Sequence, residues 1–416
     1  MKGSMKTSLL IATAVSTALG AAAVLAHHSI AVFDQDKEVT ITGTVKKFSY
    51  TNPHGWIDLE VPNDKGGVDE WSIEMASQAQ LRGRGWTPTT LKAGDKITAV
   101  LHPRRDGTKA GNAAVPLTFA DGTPVVASDQ GMGMGAGMGA GGMDAGGMAA
   151  DGMGAEGMGG EGMGGGMGGG GGLRQAELTE EPHPLLKDLV PKMQFGWYQQ
   201  GSRPEGEMTP PTTDPRDFSG RYHPKEATLL MPGGNTTMLA YNDVSAKLFR
   251  PRVEDFFAGK LRADVLSLCK PAGVARGMSQ GFPMQVQQNA SQINLIYLED
   301  HLVQRIYLDQ EHPKDLKPSF MGHSVGKWDG NTLVVDIKGF RDGGWMDEYG
   351  SPSSEQLHIV ERITKQADGL LSFEITLEDP KYYSKPVTYS RTWQWQPNIS
   401  WDEVICEENN RDAPKT

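Results

Sequence analysis

A tract made almost entirely of glycine, methionine and alanine, residues 131–172, limits most strongly what this chain can fold into. Many of the 53 glycines of the chain lie within it. A segment of this composition cannot bury enough apolar surface to offset the conformational entropy that folding removes. We therefore predict a disordered linker over residues 129–172, with a separately folded region on each side.

The first 26 residues have the three parts of a secretory signal peptide. Lys2 and Lys6 supply a positive start, residues 9–26 form an uncharged apolar run, and Ala26 ends a small-residue processing site. The alternative is an uncleaved membrane anchor, because a run of this length is borderline for spanning a bilayer. The polar sequence beyond it favours cleavage. We expect a periplasmic or secreted protein without stable membrane insertion after cleavage.

Residues 27–128 are expected to form an OB-like, five-stranded β-barrel. Apolar and polar residues alternate with a period of two in five segments, and residues 77–84 are helix-like. Three strands, a helix and two further strands are the order of an OB-type barrel. The predicted strands are residues 38–48, 55–61, 70–75, 96–102 and 113–120.

Residues 173–216 are proline-rich and are predicted to form an extended arm before a larger domain, residues 217–416. A helical or loop insertion is expected at residues 241–265. The strands that follow are consecutive and joined by short turns, which favours an antiparallel, calycin-like (lipocalin-type) barrel over a sandwich. The predicted strands are residues 284–288, 293–299, 303–309, 324–328, 332–337, 357–364, 370–377, 387–395 and 401–406.

The two cysteines of the chain, Cys269 and Cys406, both belong to the C-terminal region. In an oxidising compartment an even pair is typical of a disulfide. A metal site built on two thiolates has little support, because no Cys-x-x-Cys or Cys/His cluster surrounds either residue. We predict a disulfide between them.

The chain is acidic, with a net charge of −11 and a pI of about 5.4. The acidic residues are spread along the sequence and form no block. Binding to nucleic acid through a basic surface is therefore not expected.

Several short motifs of the N-terminal region occur together in a known family. They are His27-His28-Ser29, Val39–Val45, Thr51-Asn52-Pro53-His54-Gly55-Trp56, Arg84-Gly85-Trp86 and Leu91-Lys92-Ala93-Gly94-Asp95. In these motifs residues 27–126 resemble an exported bacterial family known as domain of unknown function 6152. The resemblance implies no activity. The C-terminal part, with its Phe320–Ser324 and Cys406–Asn409 segments, is similar to other exported hypothetical proteins and also implies no function.

His27 becomes the first residue if processing falls after Ala26. Its α-amine and imidazole can then chelate Cu(II) together, and one further imidazole completes a set of three nitrogen ligands, as in histidine-brace copper proteins. Candidates for the third ligand are His28, His54 and His102. Alternatively, His27 and His28 are only a polar chain start and His54 caps a turn. Cleavage at another residue would also remove the chelate.

The methionines of the linker recur every two to five residues. Thioether sulfur suits Cu(I), and Met-rich tracts outside the cytoplasm commonly handle copper. The alternative is a low-complexity linker in which methionine is merely tolerated. The candidate ligands are Met132, Met134, Met138 and Met143, and the series continues with Met148, Met153, Met158, Met163 and Met167.

The C-terminal barrel carries histidines and tryptophans that could line a pocket. A barrel interior lined by His323, His358, Trp328, Trp393 and Trp395 could bind a small apolar ligand or supply acid–base chemistry near neutral pH. The alternative is that these histidines, like His301 and His312, are ordinary turn and rim residues.

The segment Gly322-His323-Ser324-Val325-Gly326 matches the G-x-S-x-G pattern of a hydrolase nucleophile. That motif needs a strand before it and a helix after it. Residues 327–331 predict a hairpin turn instead, so we reject the hydrolase interpretation.

Three functions remain open from the sequence. The first is periplasmic copper binding, with Cu(II) at the mature N-terminus and Cu(I) at the Met tract. The second is a small-molecule carrier or enzyme with its pocket in the C-terminal barrel. The third is a non-catalytic scaffold of two modules joined by the linker.

Overall fold

The computed structural model describes two β-barrel regions. It covers residues 32–34, 37–52, 54–83, 85–113, 117–126, 181–193, 197–198, 212–224, 227–228, 239–258, 265–266, 268–278, 283–298, 302–347, 349–367, 369–398, 401 and 405–406. The predicted signal peptide, His27, His28, His301 and the Gly/Met linker lie outside the described residues.

The N-terminal region is a closed five-stranded barrel with one short additional strand, which confirms the predicted fold class. The elements are β1 (Val39–Ser49), β2 (Trp56–Pro62), β3 (Val68–Glu74), α1 (Gln78–Gly83), β4 (Lys96–Pro103), β5 (Ala110–Ala113) and β6 (Thr118–Phe119). The sheet order is β1-β2-β3-β5-β4-β6, and a β1–β4 ladder closes the barrel. Alternate residues of these strands, among them Ile57, Ile73 and Leu101, fill its core.

The last predicted strand of this barrel, residues 113–120, is wrong in its boundaries. The fifth strand, β5, begins earlier, at Ala110, and pairs in parallel with β3. Thr118–Phe119 forms a separate strand, β6, beside β4. Gly111 and Asn112 lie inside β5, and neither is a typical strand residue. The alternation of apolar residues therefore gave no sign of this strand.

The C-terminal region is a closed barrel of nine strands, as its alternation predicted. Before and within it lie β7 (Trp197–Tyr198), β8 (Gly220–Pro224), β9 (Ala227–Thr228), α2 (Asp243–Phe257), α3 (Val274–Gly277), β10 (Met284–Gln288), β11 (Gln292–Tyr297), β12 (Val303–Leu308), β13 (His323–Asp329), β14 (Thr332–Lys338), β15 (Gly344–Trp345), β16 (Pro352–Ser353), β17 (His358–Lys365), β18 (Leu370–Glu378) and β19 (Val387–Trp395). The barrel order is β10-β11-β12-β13-β14-β17-β18-β19-β8.

Two details of this barrel differ from the prediction. The β12–β13 pair is parallel rather than antiparallel, because residues 309–322 carry the chain back along the barrel before β13 begins. The ninth strand is β8, which pairs with both β10 and β19. Among the described residues of the predicted 401–406 strand, none is in a strand.

The predicted extended arm is partly helical. Residues Pro184–Leu186 and Val190–Lys192 form two 3₁₀ turns, each with a proline at its start. Leu186 and Met193 are buried in the same core cluster as the barrel, and Arg250 of α2 binds both carboxylate oxygens of Asp188 at 2.7 and 2.9 Å. Burial of these apolar side chains against α2 explains why the segment folds.

Cys269 and Cys406 form a disulfide with Cα atoms 5.5 Å apart, as predicted. Cys406 is buried, and its sulfur contacts the carbonyl oxygen of Leu266 at 3.5 Å. The bridge ties the chain's C-terminal segment to the region before α3. Within the part of the chain that is described, no helix has the length and apolarity needed to cross a membrane.

Candidate functional site

His54, which the sequence predicts as a copper ligand, lies just before β2 on the wall of the N-terminal barrel. Its Nδ1 is 3.2 Å from the carbonyl oxygen of Met75 and 3.5 Å from Oε1 of Glu74. A carbonyl oxygen can only accept, so Nδ1 carries the proton and donates it. In the neutral ring, Nε2 is then the nitrogen with the lone pair, the form that binds metals.

His102, the other described candidate, lies near the end of β4 and is almost fully buried. Its Nδ1 is 2.9 Å from the carbonyl oxygen of Lys37. Because a carbonyl oxygen can only accept, Nδ1 of His102 carries the proton, and Nε2 holds the lone pair of the neutral ring. In their neutral forms His54 and His102 therefore have the same tautomer, with the lone pair on Nε2.

A row of buried polar side chains crosses the sheet between these histidines. Glu74 of β3 is paired with Asn112 of β5, and Asn112 is paired with His102 of β4. Directly paired residues point to the same face of a sheet. Glu74, Asn112 and His102, named the polar row below, therefore lie side by side, opposite to the core-facing Ile73 and Leu101.

The polar row contains side-chain atoms that are buried without a hydrogen-bond partner among the described residues. They are Oε2 of Glu74 and both amide atoms of Asn112. Glu74 is 5% exposed and Asn112 is 1% exposed. Each unpaired buried polar group costs about 1–3 kcal/mol. The sequence analysis did not identify Glu74 or Asn112 as site residues. The only sequence feature that could have indicated their burial is that each follows a strand residue, Ile73 or Gly111, in a short strand.

The start of the described chain runs beside the end of β4. Asp34 donates its backbone N–H to the carbonyl oxygen of Pro103 at 2.7 Å, and Arg105 donates to that of Val32 at 2.9 Å. Val32 and Phe33 are buried. The described chain therefore begins beside the end of β4, the strand that carries His102.

Among the described residues alone, no group of three or more His, Cys, Asp or Glu side chains is arranged to hold a metal ion. The histidines and carboxylate around the polar row would need a further ligand from outside this set. His27, His28 and the four named methionines of the linker are outside the described residues.

The structure places the two histidines of the predicted C-terminal pocket outside the barrel interior. The register pairs Ser324 with Ile337 and Val325 with Asp336, so Ser324 faces the interior and His323 faces outward. His358 likewise alternates with the buried Ile359. Because side chains alternate along a strand, both histidines belong to the outer wall.

Trp393 is fully buried, and Trp328 and Trp395 pack partly buried against the core. The tryptophans are therefore core or edge residues that the structure does not bring together with the histidines.

His323 and His358 instead join His312 and Asp336 in a hydrogen-bonded group, named the outer-wall cluster. His312 Nε2 is 2.9 Å from Asp336 Oδ2, and His312 Nδ1 is 2.9 Å from His323 Nδ1. His358 Nε2 binds Asp336 Oδ1. Burial and the nearby His312 lower the pKa of His323. Partial burial of Asp336 acts to raise its pKa, but the hydrogen bonds from His358 and His312 outweigh that effect and lower it.

The barrel interior holds a buried acid whose role the sequence did not indicate. Glu361 is fully buried, and its Oε2 accepts a hydrogen bond from Gln304 Nε2 at 2.8 Å. Burial raises the pKa of Glu361 to about 7, although the bond from Gln304 opposes the shift. Its Oε1 and the Tyr389 hydroxyl have no hydrogen-bond partner among the described residues. The sequence feature that could have indicated this burial is the position of Glu361 between Ile359 and Ile363, two residues from each on the same face of the strand.

Two further features lie in the C-terminal region. Ser324 is buried in β13, and the strand continues into a hairpin with β14 rather than a helix, which supports rejecting the nucleophile motif. A cavity of about 20 Å³ lies beside α3, where Val274, Phe340 and Leu357 line part of it. That volume suits about one water molecule.

The comparison with protein families agrees with the motifs of the N-terminal barrel. No curated protein matches the chain. The C-terminal barrel lies outside the matched residues. Residues 14–113 match the model of a family of unknown function, DUF6152, the family that the sequence motifs resemble.

Proposed function

We propose that this chain is an exported, periplasmic copper-binding protein whose Cu(II) site forms at the mature N-terminus. After cleavage of the signal peptide at Ala26, the α-amine and imidazole of His27 supply two nitrogen ligands, and Nε2 of His54 supplies the third. The observation that carries the proposal is the hydrogen bond from His54 Nδ1 to the Met75 carbonyl oxygen at 3.2 Å. It fixes the tautomer that leaves the lone pair of the ring on Nε2, the nitrogen that would bind the metal.

Glu74 supports this role for His54. Its Oε1 lies 3.5 Å from His54 Nδ1, the position of the outer carboxylate in carboxylate–histidine–metal arrangements. A buried carboxylate also offsets part of the positive charge of a divalent ion. His28 and His102 are the alternatives for the third nitrogen, and His102 is the more buried of the described pair.

The chain length allows His27 to reach this face. Arg105, which binds Val32, follows His102 by three residues, or about 10 Å of extended chain. Glu74 lies two strands across from His102, and Val32 lies one strand across from Arg105 on the opposite side of β4, so Val32 is roughly 17 Å from Glu74 along the diagonal. Residues 27–32 span up to about 17 Å when extended. His27 is therefore within reach of His102, and a fully extended segment just spans the distance to Glu74 and the neighbouring His54.

The Met tract is the second part of the proposal. Met132, Met134, Met138 and Met143 supply thioether ligands, which prefer Cu(I), whereas the nitrogen ligands of His27 and His54 prefer Cu(II). In this account the two oxidation states are held by different parts of the chain.

Titration with Cu(II) followed by electron paramagnetic resonance tests the site. The full chain, secreted with its signal peptide and stripped of metal, should bind one Cu(II) with nitrogen hyperfine structure. His54→Ala should weaken this binding at least tenfold and reduce the nitrogen signal. His183→Ala, in the C-terminal region, is the matched histidine control and should change neither. Equal affinity in the His54→Ala and His183→Ala variants would remove His54 from the site.

A second candidate function is a small-molecule carrier or enzyme that uses the C-terminal barrel. Its support is Glu361, a fully buried acid whose pKa of about 7 suits proton transfer near neutral pH. Small molecules extracted from the natively purified chain, and lost in a Glu361→Leu variant, would favour this candidate over copper binding.

A further inference from the structure

We propose that the outer-wall cluster is an acid-sensitive latch that holds residues 309–322, named the crossover loop, against the C-terminal barrel. The contact that makes it acid-sensitive is between His312 on the loop and His323 on the wall. Their Nδ1 atoms lie 2.9 Å apart, so one nitrogen must carry the hydrogen and the other must accept it.

The neutral state of the cluster is a continuous chain of hydrogen bonds. Asp336 accepts from Nε2 of His312 at 2.9 Å and from Nε2 of His358. His312 therefore carries its proton on Nε2, and its Nδ1 is the acceptor. His323 carries its proton on Nδ1 and donates it to His312. Every hydrogen bond of the outer-wall cluster is made while the rings of His312 and His323 hold one N–H proton each.

The contact tolerates one added proton but not two. A proton on Nε2 of His323 leaves its Nδ1–H donating to His312. A second proton, on Nδ1 of His312, places two N–H groups and two positive charges against each other at 2.9 Å. The contact must then open. Partial burial disfavours the charged form of His323, and the nearby His312 has the same effect, so the cluster resists the first proton as well.

The other charged groups around the cluster do not replace this contact. Lys338 lies 3.6 Å from Asp336, and Glu378 lies 4.0 Å from His358 Nδ1. Lys327 pairs with Glu311 of the crossover loop at 2.8 Å, with both side chains mostly exposed. An exposed ion pair contributes little to stability. On the β12 side His323 stacks on the neutral ring of Tyr307, with centroids 5.1 Å apart.

His312 anchors the first half of the crossover loop to the barrel wall through its bonds to His323 and Asp336. Its side chain is 8% exposed, so opening the contact exposes a packed ring. The second half is anchored separately, because Ser319 donates to the carbonyl oxygen of Gly339 and accepts from Arg341, each at 3.0 Å. Acid should therefore release residues 310–316 while Ser319 stays paired.

Hydrogen exchange of the full chain, corrected for the pH dependence of the chemical exchange rate, tests the latch. The amide to follow is that of Asp309, which donates to the carbonyl oxygen of Gly326 at 2.9 Å at the start of the loop. Its protection should fall at least tenfold between about pH 8 and about pH 4.5, which is well below the ordinary imidazole pKa. His323→Phe keeps a ring against Tyr307 and removes the opposing nitrogen. It should keep the loop protected at the lower pH, since His312 can then be protonated while bound to Asp336.

Lys327→Gln is the matched control, because it removes a charge beside the same loop without touching the His312–His323 contact. It should show the same acid release as the wild-type chain. Equal protection at both pH values in the wild-type chain would overturn the proposal, and so would equal release in His323→Phe.

Imidazole tautomers read by nitrogen NMR give a test that needs no variant. The latch requires the proton of neutral His312 on Nε2 and that of His323 on Nδ1. The opposite assignment for either ring would also overturn the proposal.

Discussion

The Nδ1 atom of His54 lies between two acceptors of the β3 end, 3.2 Å from the carbonyl oxygen of Met75 and 3.5 Å from Oε1 of Glu74. Both acceptors favour a proton on Nδ1. The ring orientation and the lone pair on Nε2 are therefore set by the barrel before any metal binds. This relationship connects the fold of the N-terminal region to the proposed copper site.

Glu74→Gln should weaken Cu(II) binding about 10–100-fold, the usual effect of losing an outer carboxylate behind a metal-binding histidine. The amide keeps the size of the side chain but removes its charge. Isothermal titration with Cu(II) measures the effect. Glu70→Gln, on the exposed part of the same strand, should leave the affinity within twofold. An unchanged affinity in Glu74→Gln would show that this carboxylate does not support the site.

Glu361 should make the stability of the C-terminal barrel depend on pH. Its pKa is raised from 4.5 in the unfolded chain to about 7 in the folded one, so the folded state binds this proton more tightly. The contribution of Glu361 to stability is therefore highest below pH 4.5, falls as the pH rises to about 7, and stays low above that. The shift corresponds to roughly 3 kcal/mol of unfolding free energy.

Glu361→Gln cannot ionise and should not show this decrease. At about pH 8 it should be more stable than the wild-type chain, by up to roughly 3 kcal/mol. Denaturant dependence of hydrogen exchange in β17 and β18 measures the difference. Glu374→Gln, on the exposed face of β18, should behave as wild type. A Glu361→Gln variant with the wild-type pH dependence would contradict the assignment.

Removing the disulfide with Cys269→Ala and Cys406→Ala should lower the stability of the C-terminal barrel by about 2–5 kcal/mol, because the bridge closes a long loop. Calorimetry should show a lower melting temperature for that transition. Cu(II) binding should stay unchanged, since both cysteines lie outside the N-terminal barrel. A loss of Cu(II) binding in this variant would link the copper site to the C-terminal region.

Replacing the nine linker methionines, Met132 through Met167, by serine should abolish Cu(I) binding by the tract and leave Cu(II) binding intact, because only thioether sulfur is lost. Competition with a chromophoric Cu(I) chelator measures the first effect. A chain with an equal number of linker glycines changed to serine is the control. Unchanged Cu(I) affinity would favour the scaffold function, in which the linker only joins two modules.

Most strands could be predicted from the sequence because one face of each strand is buried in its barrel, so apolar residues recur at every second position. Leu371, Phe373, Ile375 and Leu377 of β18 show this pattern and all face the core. β8 was missed because Gly220 and Pro224 bound a strand of five residues. The parallel β12–β13 pair was missed because alternation within a strand carries no information on its neighbour.

The candidate sites were harder to predict because they depend on register. A shift of one residue decides whether His323 or Ser324 faces the interior, and the sequence alone did not fix it. His312 joins the outer-wall cluster only because the crossover loop returns along the barrel. The polar row was hidden for a similar reason, since Glu74, Asn112 and His102 come from three strands that only the sheet brings together.

Intact mass combined with copper stoichiometry of the natively secreted chain tests the Cu(II) site at the mature N-terminus. We predict a mature chain that begins at His27 and holds one Cu(II), and we expect His27→Ala to lose this ion. A chain that begins at another residue, or a His27→Ala variant that binds Cu(II) as tightly as the wild-type chain, would contradict it.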